Sequence, residues 1–254
     1  MLDALALLDA DTFAFWTGFA AGPGATSGSG DGAAWYCTGS PFTNYNGVLG
    51  GSADVNVGPL IERARGWGVP SRWMLSRASA PGWLEADLEQ RGLTVLDEAP
   101  GMVAQISDLR KPKADGLSVE IVRDETQFAE WIDVFFVDAI GMPPEHAPHA
   151  RDAHNDARLH DRARTYLLMR SEGAAVATGL LHSSSPDVAG VYGIGVRRAY
   201  QKRGFGALAT WLTIDAGART GAAVAALQAT QAGFPVYESL GFQTITSYRS
   251  WRIS

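Results

Sequence analysis

The stretch most able to do chemistry is a glycine-containing loop near residue 200. In VYGIGVRRAYQKRGFGALATWL, residues 191–212, a strand pattern passes through a basic loop into a helix pattern. Gly204 and Gly206 stand at the turn, and glycine lets a ligand approach the backbone closely because it has no Cβ. The first N–H groups of a helix lack internal acceptors and lie at the positive end of its dipole, which suits phosphate oxygens. The loop therefore predicts a phosphate-binding turn.

The loop also concentrates positive charge in an acidic chain. Its basic residues are Arg197, Arg198, Lys202 and Arg203, while the whole chain has a net charge of −6. A P-loop would need G-x-x-x-x-G-K-[ST], which the loop lacks. A dinucleotide fingerprint would need G-x-G-x-x-G, but Gly193 and Gly195 are followed by Arg198 and lie inside the strand pattern. For the glycines alone, an ordinary tight turn remains the alternative interpretation.

The pattern V-x-x-x-x-Q-x-x-G-x-G-A, from Val196 to Ala207, is longer than two glycines. It resembles the acetyl-CoA pyrophosphate loop of the GNAT superfamily of N-acetyltransferases. The resemblance implies that the splayed strand residues Ile194, Gly195 and Val196 bind pantetheine. It implies that backbone amides of the loop hold the pyrophosphate, at Gln201, Lys202, Arg203, Gly204, Phe205, Gly206 and Ala207. Arg198 departs from the pattern, since many members have Pro there.

A second segment supports the resemblance. LQATQAGFPVYESLGF, residues 227–242, is similar to the next GNAT motif, a strand followed by a helix with A-x-x-x-Y-x-x-x-G-F. Tyr237, Gly241 and Phe242 match it, while Gly233 stands in the Ala position and Thr230 where many members carry Asn. The resemblance implies that Thr230 contacts the cofactor arm and that Tyr237 is the general acid. A phenol with a pKa of ~10 can donate a proton as sulfur leaves. The alternative for Tyr237 is a half-buried aromatic on an amphipathic helix.

The residue that takes the amine proton is left open. Several GNAT members use a Glu eleven positions ahead of the Gln, and here that position is Gly190. The whole strand from 188 to 196 lacks a carboxylate. Asp138, His182 and Tyr192 are candidates. His182 has the alternative interpretation of a surface or hydrogen-bonded histidine.

A histidine cluster follows the first helix of the second half, at His146, His149, His154 and His160. His154 and His160 are six apart and do not share a helix face, and no H-E-x-x-H occurs, so we expect no metal site. The pattern predicts a solvated helix in which Asp156 supports His160. GNAT folds place a mobile acceptor-site helix at this position.

The elements around these motifs form two related halves. LEQRGLTVL and YESLGFQTI each end a short helix at Gly and turn into a strand, which indicates a duplicated architecture. We place the boundary in LRKPKADG and predict domains at residues 1–112 and 113–254. The first half is expected to begin with a helix reaching about Phe19, followed by a Gly/Ser-rich loop, AAGPGATSGSGDGAA.

The predicted fold class is α/β, with a mixed sheet of the α+β kind and the GNAT fold in tandem. The first half has no Q-x-x-G-x-G loop, so we expect it to be a degenerate GNAT-like copy that does not bind CoA. Asn44 and Tyr45 either line the acceptor cleft between the domains or have only a structural role.

Composition limits which partners, metals and cellular locations can be expected. A net charge of −6 and a pI near 5.3 argue against a nucleic-acid-binding surface, which usually carries a basic stripe, although the local basic loop is compatible with them. The single Cys37 cannot form an internal disulfide, and no Cys/His set has zinc spacing. The start carries Asp3 and Asp9 and no basic residue, unlike a signal peptide, and no apolar run could span a bilayer. We expect a cytoplasmic protein without a metal, and a homodimer stays open.

The sequence therefore predicts transfer of an acetyl group from acetyl-CoA to a primary amine of a small molecule. The amine would attack directly in a ternary complex, without a covalent enzyme intermediate. One alternative is a non-catalytic acyl-CoA sensor or partner-binding module, which the missing base favours. Another is an acyltransferase that uses a longer acyl-CoA, which the phosphate loop does not distinguish.

Overall fold

A computed structural model describes residues 3–253 of the chain, so residues 1, 2 and 254 of the two predicted domain ranges lie outside it. Within this range, eleven strands form one mixed sheet. The strands are Thr26–Gly30 (β1), Ala33–Cys37 (β2), Asn46–Leu49 (β3), Ser71–Ser76 (β4), Thr94–Gln105 (β5), Ser118–Ile121 (β6), Arg164–Ser171 (β7), Ala174–His182 (β8), Val188–Val196 (β9), Val224–Gln228 (β10) and Gln243–Ile253 (β11). Their order in the sheet is β1-β2-β3-β4-β11-β5-β10-β9-β8-β7-β6.

Seven α-helices cover this sheet in the described residues. They are Ala4–Thr17 (α1), Val57–Gly66 (α2), Leu84–Gln90 (α3), Glu125–Ile132 (α4), Ala147–His160 (α5), Phe205–Ala218 (α6) and Phe234–Leu240 (α7). A π-helical segment, Asp133–Ile140, continues α4 without a break. The predicted mixed α/β class is confirmed. No helix within residues 3–253 is long and apolar enough to cross a membrane.

The Gly/Ser-rich segment of the first half differs from its prediction. We expected a loop, but Thr26–Gly30 forms the edge strand β1, paired antiparallel with β2. The two strands are joined by Asp31 and Gly32, whose φ angles are +51° and +81°. An Asp-Gly pair with positive φ at both residues is the favoured two-residue hairpin connection, because its twist matches that of the strands. The prediction of a loop was wrong because it relied on the glycine content of the segment and did not use the Asp-Gly pair as a signal for a hairpin.

The two halves of the chain exchange their last strands. β11, the final strand of the second half, pairs antiparallel with β4 of the first half. β5, the final strand of the first half, pairs antiparallel with β10 of the second. β5 and β11 also pair with each other at the centre of the sheet. The boundary near residue 112 stays a prediction, and the segments on its two sides share one sheet.

Replacing Trp251 by Ala tests this exchange. Trp251 lies on β11, is fully buried, and packs with first-half residues such as Val48 and Trp73. Truncating a buried Trp leaves a cavity, so we expect the free energy of unfolding to fall by about 3–5 kcal/mol in urea titration. Trp83→Ala, at a side chain that is 45% exposed, is the control and should cost far less. Equal, small losses for both variants would contradict the placement of β11.

A cleft opens where β9 and β10 diverge. The two parallel strands are paired only from Val188 to Gly190, opposite Val224 to Ala226. Beyond Gly190, β9 continues to Val196 along β8 alone, and its register with β8 shifts between the Leu180 and Thr178 pairs. Such a bulge bends a strand and frees backbone groups from the ladder. The predicted pantetheine segment therefore lies on the splayed part of β9.

Candidate active site

A cavity of about 1120 Å³ occupies the cleft between β9 and β10. It brings together most of the predicted site residues. Those lining it are Ile194, Gly195, Val196, Gln201, Lys202, Gly204, Gly206, Ala207, Thr230 and Tyr237. The side chains of Arg203 and Phe205 are not part of the lining. Because the resemblance assigns the loop residues through their backbone amides, these two side chains are free for other contacts.

The turn into α6 presents unpaired amides to the cavity. Within the described residues, none of the backbone N–H groups from Lys202 to Ala207 has a protein acceptor, and the first bond of the helix runs from Leu208 N to Gly204 O. Lys202 and Gly204 both have positive φ, +61° and +81°. Successive amides around left-handed residues form a concave nest that binds anions. A Cβ at Gly206 would meet nothing within 4 Å, so this glycine borders open space. These features fit a pyrophosphate group.

Three side chains of the loop hold its shape. Gln201 Nε2 donates a hydrogen bond to the Val196 carbonyl oxygen at 3.0 Å, which ties the loop to the end of β9. Arg203 donates to the Ala199 carbonyl oxygen at 3.2 Å and lies over the Tyr200 ring. Phe205 is buried in the core and stacks on Tyr200. Their side chains therefore support the amide nest from behind.

The positive charge of the loop is partly neutralised. Arg197 pairs with Asp133 at 2.7 Å and with Asp138 at 3.2 Å. Asp138 also accepts a hydrogen bond from the Arg198 backbone N–H at 2.8 Å. That backbone bond and, after it, Arg197 lower the pKa of Asp138 below its usual range. Asp138 is therefore a structural anchor of the loop and is poorly suited to take the amine proton. Lys202 is the loop cation that lines the cavity.

Tyr237 and Thr230 lie together on the other side of the cavity. A Cβ at Gly233 would be 2.8 Å from the Tyr237 ring and 3.2 Å from Thr230 Oγ1, so glycine makes room for both. Thr230 Oγ1 accepts a hydrogen bond from the Gly233 N–H at 3.1 Å, and its own hydroxyl proton remains available for a ligand. Burial raises the pKa of Tyr237 to about 12. Tyr237 is therefore a neutral phenol able to donate.

The equivalent loop of the first half has several of its amides occupied. Between β3 and α2, the N–H groups of Gly50, Ser52, Val55 and Asn56 all donate to backbone carbonyls. Nearby Asp54 carries negative charge and accepts from the Ser52 hydroxyl at 2.6 Å. A loop with fewer free amides and an acidic neighbour is a poorer phosphate site. That this half does not bind CoA stays a prediction, and the state of these amides and the charge of Asp54 give a physical reason for it.

The far end of the cavity is walled by aromatic side chains from both halves. The first half contributes Phe15, Trp16, Phe19, Phe42 and Tyr45, and the second contributes Phe135, Phe136 and Tyr192. Thr43, Asn44 and Met142 also line the cavity. Asn44 and Tyr45 therefore lie in the cavity wall, as the functional interpretation of that segment expected. Of the residues lining the cavity, none is an Asp or a Glu.

His154 is the main departure from the predicted solvated helix. It is buried, lines the cavity, and its Nδ1 lies 2.9 Å from the Tyr166 hydroxyl. Burial, and secondly the charge of Arg164, lower the pKa of His154 well below its ordinary value, so the ring is neutral at physiological pH. The expected pair of Asp156 with His160 does not form in the described residues. Within those residues, no group of three or more His, Cys, Asp or Glu side chains is arranged to hold a metal ion.

The two other base candidates meet at a residue that the sequence analysis missed. His182 is buried, and its Nδ1 donates to Asp11 Oδ1 at 2.8 Å. Tyr192 lines the cavity, and its hydroxyl donates to Asp11 Oδ2 at 3.0 Å. Asp11 lies on α1 in the first half. The sequence did contain a signal for Asp11. In LALLDADTFAF, Asp9 and Asp11 interrupt an otherwise apolar helix, and both are buried in the structure.

Comparison with known proteins gives the family. Residues 126–242 match the Acetyltransferase (GNAT) family. This match covers most of the second half of the chain. The chain is similar in fold to a GCN5-related N-acetyltransferase from Kribbella flavida, with a TM-score of 0.69 at 18% identity over 96% of this chain and 95% of the other. No curated protein sequence matches.

Two further solved structures share the fold across both halves. A functionally unknown conserved protein from Staphylococcus epidermidis has a TM-score of 0.65 at 12% identity, covering 90% of this chain and 94% of its own. A tandem GNAT protein from the clavulanic acid biosynthesis pathway has a TM-score of 0.61 at 13% identity, covering 91% and 83%. At these identities the likeness concerns the fold alone. The predicted GNAT fold and its tandem arrangement are thus confirmed.

Proposed function

We propose that this protein transfers an acetyl group from acetyl-CoA to a primary amine of a small molecule. The observation that carries the proposal is the single cavity that joins the nest of unpaired amides at residues 202–207 to an aromatic pocket between the halves. A pyrophosphate at the nest and an acceptor in the pocket would lie at opposite ends of one continuous space. Such an arrangement favours direct attack in a ternary complex.

Residues around the middle of the cavity supply the chemistry. Acetyl-CoA, when bound, supplies an acetyl group activated as a thioester. A backbone N–H of the splayed strand around Val196 would polarise the carbonyl oxygen, where negative charge develops. Tyr237, protonated because its pKa is raised to about 12, would donate its proton to the leaving sulfur. Thr230 and the strand residues Ile194 and Gly195 would orient the pantetheine arm.

The pocket favours an acceptor with an apolar, aromatic body. His154 is neutral, and the lining contains no carboxylate to attract an ammonium group. The guanidinium of Arg164 lies over the Phe15 and Phe19 rings at 4.4 and 4.2 Å, so these faces already carry a cation. Arg164 is itself paired with Asp161 at 2.8 Å, so the lining offers a polyamine or lysine side chain neither a free carboxylate nor these ring faces. The acceptor is thus expected to enter as an uncharged amine.

The test is an amine panel that follows release of the CoA thiol. It should contain aromatic amines, matched aliphatic amines, a polyamine and a lysine peptide, each with acetyl-CoA and with a longer acyl-CoA. We expect thiol release with aromatic amines and acetyl-CoA. Calorimetry should give about one bound CoA per chain, because several amides of the first-half loop already have carbonyl acceptors and Asp54 lies beside them. Two equivalents would contradict the inactive first loop.

A non-catalytic acyl-CoA sensor is the competing function. It would bind about one CoA per chain yet release no thiol with any amine on the panel. Preference for the longer acyl-CoA would instead indicate a different acyl donor. Absence of thiol release would thus indicate a protein that is not an enzyme, whereas a preference for the longer acyl-CoA would indicate an enzyme with a different donor.

A further inference from the structure

The carboxylate of Asp11 is buried beside the splayed strand. Its side chain is fully buried on α1, and every hydrogen bond it makes is to the second half. Oδ1 accepts from His182 Nδ1 at 2.8 Å and from the Ser184 N–H at 2.9 Å. Oδ2 accepts from the Tyr192 hydroxyl at 3.0 Å. A buried carboxylate is stable only with such partners.

Gly190 on β9 makes the space for this carboxylate. A Cβ at Gly190 would lie 1.9 Å from Asp11 Oδ2, so no other residue fits at this position while Asp11 stays in place. The strand from Val188 to Val196 has no acid of its own. The first half of the chain thus delivers a carboxylate to the strand position whose side chain is missing.

Tyr192 connects Asp11 to the cavity. Its ring lines the cavity and stacks on Phe15 at 3.7 Å with an interplanar angle of 2°. Burial, and then the charge of Asp11, raise the pKa of Tyr192 well above its ordinary value, so the phenol stays protonated. A protonated phenol cannot take up a proton unless it gives its own away. Its hydroxyl proton already points at Asp11 Oδ2.

We infer that Tyr192 and Asp11 form the proton acceptor of the acetyl transfer, with Asp11 contributed by the first half. This inference rests on the proposed function. As the amine nitrogen forms its bond to the acetyl carbon, the C–S bond breaks and Tyr237 gives its proton to the sulfur. The N–H proton passes to the Tyr192 oxygen while the Tyr192 proton moves to Asp11. The products are the amide and the CoA thiol, and the proton on Asp11 returns to Tyr237 through solvent.

Further ionisable groups lie close to Asp11 and its partner His182. His182, on β8, has its Nε2 3.8 Å from Asp161 Oδ2, and Asp161 pairs with Arg164 at 2.8 Å. On the same helix as Asp11, Asp9 accepts a hydrogen bond from Tyr248 on β11. Asp9 is also buried, and neither Asp9 nor Tyr248 is among the residues that line the cavity. It is therefore a matched control for Asp11.

The experiment compares Asp11→Asn and Tyr192→Phe with Asp9→Asn. Asn keeps the size of Asp11, and Phe keeps the ring that stacks on Phe15, so both variants should fold. At neutral pH we expect kcat to fall about 100-fold in each, in line with general-base effects, with unchanged CoA affinity. The deficit should shrink toward pH 10, where hydroxide can take the proton. Asp9→Asn should keep the wild-type kcat and pH profile.

Two results would overturn the inference. One is a wild-type kcat in Asp11→Asn. The other is a loss that is equal at every pH and accompanied by weaker CoA binding, which would mean that Asp11 only anchors α1. If the wild-type protein binds CoA but releases no thiol with any amine, the proposed function itself fails, which is a different outcome.

Discussion

Gly206→Glu is expected to abolish CoA binding without unfolding the protein. Gly206 is the second residue of α6, lines the cavity, and has no atom within 4 Å of the position its Cβ would take. The new side chain would therefore enter the space reserved for phosphate. Its carboxylate would compete for the free amides and repel the pyrophosphate. A negative charge in the first helical turn favours the helix, so the fold should not suffer.

Calorimetric titration with CoA measures this effect, and we expect the Kd to rise at least about 100-fold, equivalent to roughly 2.7 kcal/mol. Gly66→Glu is the control. Gly66 also has open space around its Cβ, but it lies on the exposed end of α2 in the first half. An unchanged Kd in Gly206→Glu would contradict the prediction that the loop binds the phosphates of CoA. An unfolded Gly206→Glu, seen by circular dichroism, would contradict the open space described for this glycine.

Tyr237→Phe should lower kcat about 100-fold while leaving CoA affinity unchanged, because the phenol acts when sulfur leaves and not in holding the ground state. The pKa of Tyr237 is raised to about 12, so its hydroxyl carries its proton throughout pH 6–10. Activity of the wild type should therefore show no loss from ionisation of Tyr237 in that range. Such a loss would begin only as the pH approaches 12.

Steady-state kinetics over pH 6–10, together with CoA titration, check this prediction. Tyr200→Phe is a suitable control, because Tyr200 stacks on Phe205 behind the loop and does not line the cavity. A wild-type kcat in Tyr237→Phe, in a reaction whose chemical step limits turnover, would rule out the general acid. A large change in CoA affinity would show that Tyr237 binds the cofactor instead.

The sequence predicted the residues at the glycine-loop end of the cavity far better than those at its aromatic end. The loop from Gln201 to Ala207 is contiguous, so one local pattern contains the glycine positions, the helix start and the strand before it. Tyr237 lies in a second local pattern of the same kind. Local backbone geometry follows from nearby residues, and here the structure places the predicted positions around one cavity.

The acceptor side depends on contacts between distant segments, which no local pattern records. Phe15 and Tyr192 stack on each other although they come from opposite halves. His154 belongs to a polar helix, yet packing against aromatic residues such as Phe19 and Trp131 buries it. Gly190 looked like a missing base, and the structure shows a carboxylate from another segment in its place. The strand exchange was also beyond the sequence, because each final strand has the same pattern whichever partner it takes.

The exchange of β5 and β11 limits what can happen to this chain over evolutionary time. Deleting the first half would leave β10 without its partner β5 and would remove the first-half side chains from the wall of the aromatic pocket. Deleting the second half would remove the amide nest and expose an edge of β4. We therefore expect selection to retain the first half whether or not that half binds a cofactor. The first half, which we expect not to bind CoA, supplies strands to the common sheet and part of the cavity wall.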